Sequence, residues 1–247
     1  MLCPRTRHPF PARPVVRFSS IEKTVPPRVQ RAKSAGVKLT LADALFWLDY
    51  AAVAVFAATG ALAAARRRHD IITFAFFAAI TGTGGGTLRD LLIGAPVFWV
   101  HRPGYLLVCL AAAVIVWSLG KRGWRFRALL WLDALGLAAY AVVGTAKALS
   151  LGVPAVSSVV MGVLTTAFGG VLRDVLAGEA NMLLRREIYI SAALLGATLF
   201  VILHALGLEF WPCALSGFAA AFLLRAAAIR YDLRLPGFPG PPSDEDR

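Results

Sequence analysis

The stretch Thr81-Gly82-Thr83-Gly84-Gly85-Gly86-Thr87-Leu88-Arg89-Asp90-Leu91-Leu92-Ile93-Gly94 decides how the rest of the chain is read. It places a glycine cluster and an adjacent Arg-Asp pair inside an apolar run. The same device returns as Thr166-Ala167-Phe168-Gly169-Gly170-Val171-Leu172-Arg173-Asp174-Val175-Leu176-Ala177-Gly178, at an offset of 84 residues. The offset holds outward from the motif: Leu48-Asp49 maps to Leu132-Asp133, Gly60 to Gly144, Arg102 to Arg186 and Tyr105 to Tyr189. A constant spacing without gaps over that distance is the mark of an internal duplication. Neither copy is a phosphate loop, because no Gly-Lys-Ser/Thr follows and the glycines do not lie between a strand and a helix.

Composition sets the medium. Hydrophobic residues make up 58% of the 247 and charged residues 16%, too little charge for a soluble chain of this length. About twenty apolar residues cross a bilayer as a helix, and the chain has room for seven such segments. The apolar runs are Ala/Leu-rich with no period of two, which argues against membrane strands. The expected class is an all-α integral membrane protein with seven transmembrane helices. The expected spans are 42–65, 71–93, 104–120, 128–149, 155–178, 188–206 and 210–229. The formal charge of +12 does not point to nucleic acid, because the basic residues fall mainly between apolar segments and in the N-terminal region. Cys3, Cys109 and Cys213 have no metal-ligand spacing and read as small buried hydrophobes. With no nucleophile–base pair, metal cluster or nucleotide motif, we expect neither an enzyme nor a cofactor.

The segment 1–36 stands apart, with eight Lys/Arg against one Glu and no apolar run of signal-peptide length. A disordered basic tail, an organelle transit peptide and translation from a misassigned start compete, and we favour the tail or the artefact. The remaining organisation is a first three-helix repeat over 40–122, a second over 124–206, a seventh helix over 210–232 and a disordered tail over 236–247.

An odd number of spans per copy turns the second copy over, which gives a 3+3 inverted repeat. Lys/Arg count fixes the orientation. Arg66 to Arg68, Lys121, Arg122, Arg125, Arg127, Arg185, Arg186, Arg225, Arg230 and Arg234 fall on one face, and Arg102 alone on the other. That bias predicts a mature N-terminus outside and a cytoplasmic C-terminus.

Charges within a span are costly and read as functional or paired. Arg89 with Asp174 and Asp90 with Arg173 would form neutral pairs across the repeats; the alternative is direct lining of an ion path. Asp49 and Asp133 read either as helix N-caps or as acids that attract cations at a pore mouth. Lys147, whose repeat counterpart is Ala63, either snorkels to the outer interface or stands in the path as a gating charge, and we favour snorkelling. Gly82 and Gly86 suit close helix packing. Gly84, Gly85 and Gly86 point in three directions and favour a break that frees carbonyls, with a milder break at Gly169 and Gly170. Gly85 is then expected to contribute little to packing.

Two x-Leu-Arg-Asp motifs behind glycine runs, in a three-plus-three arrangement with a seventh span, resemble the trimeric intracellular cation channel family. Its bacterial members are also described as glycine-transporter-domain membrane proteins. The resemblance covers about residues 40–232. It implies a homotrimer in the inner (plasma) membrane, each protomer with its own pore around kinked second and fifth helices. K+ and other monovalent cations would be the permeant ions and the lipid bilayer the surrounding partner. It also implies that Gly84, Gly85, Gly86, Gly169 and Gly170 are kink residues and that Arg89, Asp90, Arg173 and Asp174 are the associated charges. Phe168 departs from a second glycine triplet. A secondary transporter of a small zwitterion such as glycine is the alternative, since broken helices and intramembrane Arg-Asp pairs suit both.

Overall fold

The computed structural model describes residues 41–119, 125–179 and 188–234. The N-terminal segment, Lys121, Arg122, Arg185, Arg186 and the tail after Arg234 lie outside the described residues. Among these residues the chain forms eight α-helices: α1 (Leu41–Arg66), α2 (Ile71–Ile93), α3 (Phe98–His101), α4 (Gly104–Ser118), α5 (Arg125–Ser150), α6 (Ala155–Ala177), α7 (Ile190–Ala205) and α8 (Phe210–Tyr231). Seven of them coincide with the expected segments to within a few residues. Five (α1, α2, α5, α6 and α8) are long and apolar enough to cross a membrane. α4 and α7 are apolar but shorter, 15 and 16 residues. At 1.5 Å per residue each spans about 22–24 Å, less than the hydrocarbon core of about 30 Å. The protein is therefore an all-helical membrane protein. α3 had no counterpart in the sequence reading, since four residues carry no periodicity.

The helix ends follow local chemistry. Asp70 caps α2: its Oδ1 accepts the N–H groups of Ile72 and Thr73 at 2.9 Å each, and its Oδ2 accepts the Thr73 hydroxyl at 2.9 Å. α2 and α6 end at equivalent glycines, Gly94 (φ 75°) and Gly178 (φ 61°), in the left-handed conformation that glycine adopts without penalty. The Gly94 N–H returns to the carbonyls of Asp90 and Leu91, and the Gly178 N–H to those of Asp174 and Val175.

α2 and α6 cross at the centre, and small residues let them approach. A Cβ on Gly85 would fall on the Thr165 carbonyl oxygen of α6, and a Cβ on Gly169 would come within 2.8 Å of the Thr81 carbonyl oxygen of α2. These two contacts exchange under the 84-residue offset. Position 81 faces 169 while 85 faces 165, so the helices run antiparallel. Beside this crossing, Phe56 of α1 and Tyr140 of α5, also repeat equivalents, touch with ring centroids 5.1 Å apart. The first half packs its core from α1, α2 and α4, joined by Leu129 and Tyr140 of α5. Further apolar clusters join α5 with α7 and α8.

Candidate functional site

Two clusters of buried charge occupy opposite ends of the central helix pair. The first is built on Asp90, in the last turn of α2 and fully buried. Its Oδ1 accepts the Arg89 Nε–H at 2.9 Å and lies 3.0 Å from Lys147 Nζ. Its Oδ2 accepts Lys147 at 3.1 Å and the backbone N–H of Phe98 at 3.1 Å. α3 thus serves as a cap, held also by Trp99 Nε1–H donating to Thr87 Oγ1 at 2.9 Å. Gly86 makes the closure feasible, because a Cβ there would meet the Phe98 ring at 2.6 Å.

The second cluster is built on Arg173 of α6, also fully buried. Its Nε–H donates to Asp174 Oδ1 at 2.9 Å and its Nη1–H to Asp133 Oδ1 at 2.7 Å. Gly170 leaves room for this group, since a Cβ would come 3.2 Å from the Tyr189 hydroxyl. Arg225 of α8, only 1% exposed, places its guanidinium 5.2 Å from the Tyr189 ring centroid.

Several expectations need correction. The pairs Arg89–Asp174 and Asp90–Arg173 do not form; each arginine bonds the aspartate that follows it. The antiparallel crossing explains this, because equivalent motifs at the C-terminal ends of α2 and α6 are carried to opposite ends of the pair. At the α6 end, Arg66 at the close of α1 bridges Glu179 at 2.7 Å, and Arg67 donates to the Gly178 carbonyl at 3.0 Å. Asp49 and Asp133 are not N-caps; both lie buried in the interiors of α1 and α5. Lys147 does not snorkel but turns inward to Asp90, with its side chain 26% exposed. Arg225 belongs to the interior rather than to a basic loop.

The expected breaks are also absent. α2 runs as α-helix through Gly84, Gly85 and Gly86, and α6 through Gly169 and Gly170. The tight crossing holds the backbone in place. Around the triplet, Thr83 Oγ1–H donates to Ala79 O and Thr87 Oγ1–H to Thr83 O, each at 2.7 Å, within the helix. Of the triplet, Gly85 makes the closest backbone contact with α6, opposite to the small packing role read from sequence. Gly84 faces only the end of the Leu172 side chain, at 2.5 Å from a built Cβ.

Above the first cluster lies a cavity of about 480 Å³, lined among others by Phe46, Asp49, Phe98, Arg102, Tyr105 and Lys147. The Tyr105 hydroxyl donates to Asp49 Oδ2 at 3.0 Å. Lys147 stands on the cavity wall and connects it to Asp90. Deeper, the buried Tyr140 hydroxyl donates to the Gly82 carbonyl at 3.0 Å. Sequence reasoning passed over Tyr140 and counted Arg225 only among the basic residues of one face. Comparison of the copies carries a signal for the first, since Tyr140 stands where the first copy has Phe56. Arg225 lies outside the duplication and offers no such comparison.

The Glycine transporter family model matches residues 46–121 and again 130–205, two segments at the 84-residue offset. The crystal structure of the TRIC trimeric intracellular cation channel orthologue from Rhodobacter sphaeroides is similar, with 49% identity and a TM-score of 0.75. The match covers 77% of this chain and 99% of that one. The UPF0126 membrane protein of Vibrio cholerae is 38% identical over 199 residues, covering 78% of this chain and 82% of the relative. The UPF0126 inner membrane protein YadS of Escherichia coli K12 is 36% identical over 202 residues, covering 78% of this chain and 96% of the relative.

Proposed function

From the premise that this chain belongs to the Glycine transporter family of membrane proteins, we propose that it is a monovalent-cation channel and no enzyme. The observation that carries the reading is the likeness, at 49% identity over nearly the whole partner, to a solved cation channel. The site chemistry agrees. Lys147 joins the cavity wall to the buried Asp90, and buried hydroxyls of Thr81, Thr83, Thr165 and Thr166 lie between the two charge clusters.

In this reading K+ is the main permeant ion and the channel is a homotrimer with one pore per protomer, along α2 and α6. Seven segments cross the bilayer as an inverted repeat plus α8. The repeat is supported by the constant offset and by the exchanged Gly85–Thr165 and Gly169–Thr81 contacts. The location is the inner membrane, with the mature N-terminus outside and the C-terminus in the cytoplasm, as the basic residues at the ends of α1 and α8 favour. The Lys147–Asp90 pair closes the path beyond the cavity, and the uninterrupted helices belong to this closed arrangement. The pore residues remain Gly84, Gly85, Gly86, Gly169 and Gly170, of which Gly84, Gly85 and Gly169 are set between α2 and α6.

The test is reconstitution in a planar bilayer. Single-channel K+ current in the absence of any organic solute supports the channel; solute-dependent uptake of glycine without such current supports the transporter instead.

A further inference from the structure

Seven charged side chains are buried among the described residues: Asp49, Arg89, Asp90, Asp133, Arg173, Asp174 and Arg225. Six of them form repeat pairs at the 84-residue offset. Arg225 is the exception, because α8 lies outside the duplication.

The exception completes a charge balance. At the Asp90 end, two acids, Asp49 and Asp90, face one repeat-equivalent base, Arg89. A second positive charge comes from the helix that follows this copy, as Lys147 of α5 stands 3.0 Å from Asp90. At the Arg173 end, Asp133 and Asp174 share Arg173, at 2.7 and 2.8 Å. Here too the helix that follows the copy brings a second positive charge, Arg225 of α8. The two cations are not sequence equivalents, since the offset carries Lys147 to Tyr231 and Arg225 back to Ala141. Their likeness is one of charge and place.

Tyr189 connects Arg225 to the cluster. A Cβ built on Gly170 lies 3.2 Å from the Tyr189 hydroxyl, 3.8 Å from Arg173 Nη2 and 3.9 Å from Asp133 Oδ1. The Arg225 guanidinium covers the same tyrosine ring, 5.2 Å from its centroid. The charges that act on the Tyr189 hydroxyl include those of Asp133, Arg173 and Arg225. Arg225 is 1% exposed, so water screens its charge poorly. A guanidinium suits this place, because it stays protonated when buried and stacks on aromatic faces.

We propose that Arg225 limits cation passage at the Arg173 end of the path, as the counterpart of Lys147 at the Asp90 end. Without Arg225, the two acids Asp133 and Asp174 would outweigh Arg173, and their excess negative charge would gather cations. With Arg225 in place that attraction is offset, and the effect reaches the path without contact between ion and guanidinium. The assignment rests on the channel reading.

The test is the single-channel K+ conductance of the full chain in planar bilayers, in dilute and in molar KCl. Arg225→Gln is expected to raise conductance roughly twofold in dilute KCl, where ion supply limits the current, and to change it little in molar KCl. Arg225→Lys, which keeps the charge, is expected to match wild type in both. A merely structural role would not produce this dependence on salt. Wild-type conductance of Arg225→Gln in dilute KCl, or an equal gain in both solutions, overturns the assignment. Altered dilute-salt conductance in a folded Arg225→Lys protein overturns it as well, which covers a failure of Arg225→Gln to fold. Absence of K+ current in wild type removes the channel reading and the assignment with it. Wild-type current with an unresponsive Arg225→Gln removes the assignment alone.

Discussion

Lys147 of α5 reaches from the cavity wall across to Asp90 of α2, with its ammonium 3.0 Å from Oδ1 and 3.1 Å from Oδ2. The same carboxylate keeps Arg89 and the Phe98 N–H, so Asp90 does not depend on the lysine alone. Lys147→Gln therefore removes the closing charge without stranding its partner. The expected outcome is a higher open probability in single-channel recordings. The stability loss should stay below the roughly 3–5 kcal/mol of a broken buried pair. Unchanged gating in a folded Lys147→Gln protein would place the closure elsewhere.

The charge pairs are local to each cluster, and coupling energies should follow that pattern. A double-mutant cycle between Arg173 and Asp133 is expected to give about 1–3 kcal/mol, and a cycle between Arg89 and Asp174 close to zero. Arg89→Asp should not be rescued by Asp174→Arg. Chemical denaturation of the four proteins in each cycle checks this, and a large Arg89–Asp174 term would contradict the antiparallel placement.

Alanine substitutions in the triplet should separate by position. Gly84→Ala meets only the mobile end of Leu172 and gains helix propensity of about 1 kcal/mol. Gly85→Ala meets the Thr165 backbone, which cannot yield without moving α6, and overpacking of this kind costs about 1–3 kcal/mol. Thermal unfolding in detergent should rank Gly85→Ala below both Gly84→Ala and wild type. Equal melting temperatures for the two variants would show that α2 and α6 separate freely.

Asp70 lies outside the spans and gives a pH-dependent term. The Thr73 N–H, followed by the Thr73 hydroxyl, lowers its pKa from the ordinary 3.8. A carboxyl with a depressed folded-state pKa stabilises the fold above its unfolded pKa, and this contribution disappears as pH falls through the folded value. Asp70→Ala should thus melt below wild type at neutral pH, and the two curves should converge in acid below the ordinary aspartate range. A difference that persists there would assign the effect to something other than the ionised cap.

Much of the architecture was legible because the length of an apolar run is written in one dimension. The duplication was legible for the same reason. Partnerships were harder to read. Pairing Arg89 with Asp174 overlooked that the antiparallel crossing of α2 and α6 sends equivalent residues to opposite ends. The inward turn of Lys147 depends on an acid supplied by another helix. α3 was missed because its stabilising contact, Phe98 N–H to Asp90, is tertiary. The glycine triplet was read as a weakness of one helix, whereas its central member is a surface fitted to the backbone of another.

The paired contacts Gly85–Thr165 and Gly169–Thr81 act as a fulcrum. Glycine set against a carbonyl on both sides fixes the separation of α2 and α6 and resists sliding, because displacement along either axis would drive side chains into backbone. Rotation about the crossing is the inexpensive motion left. A change of crossing angle about a fixed contact moves the helices apart or together at both ends at once, so widening around Asp90 entails widening around Arg173. Distances between labels on α2 and α6 at the two ends should change with the same sign as the protein switches state.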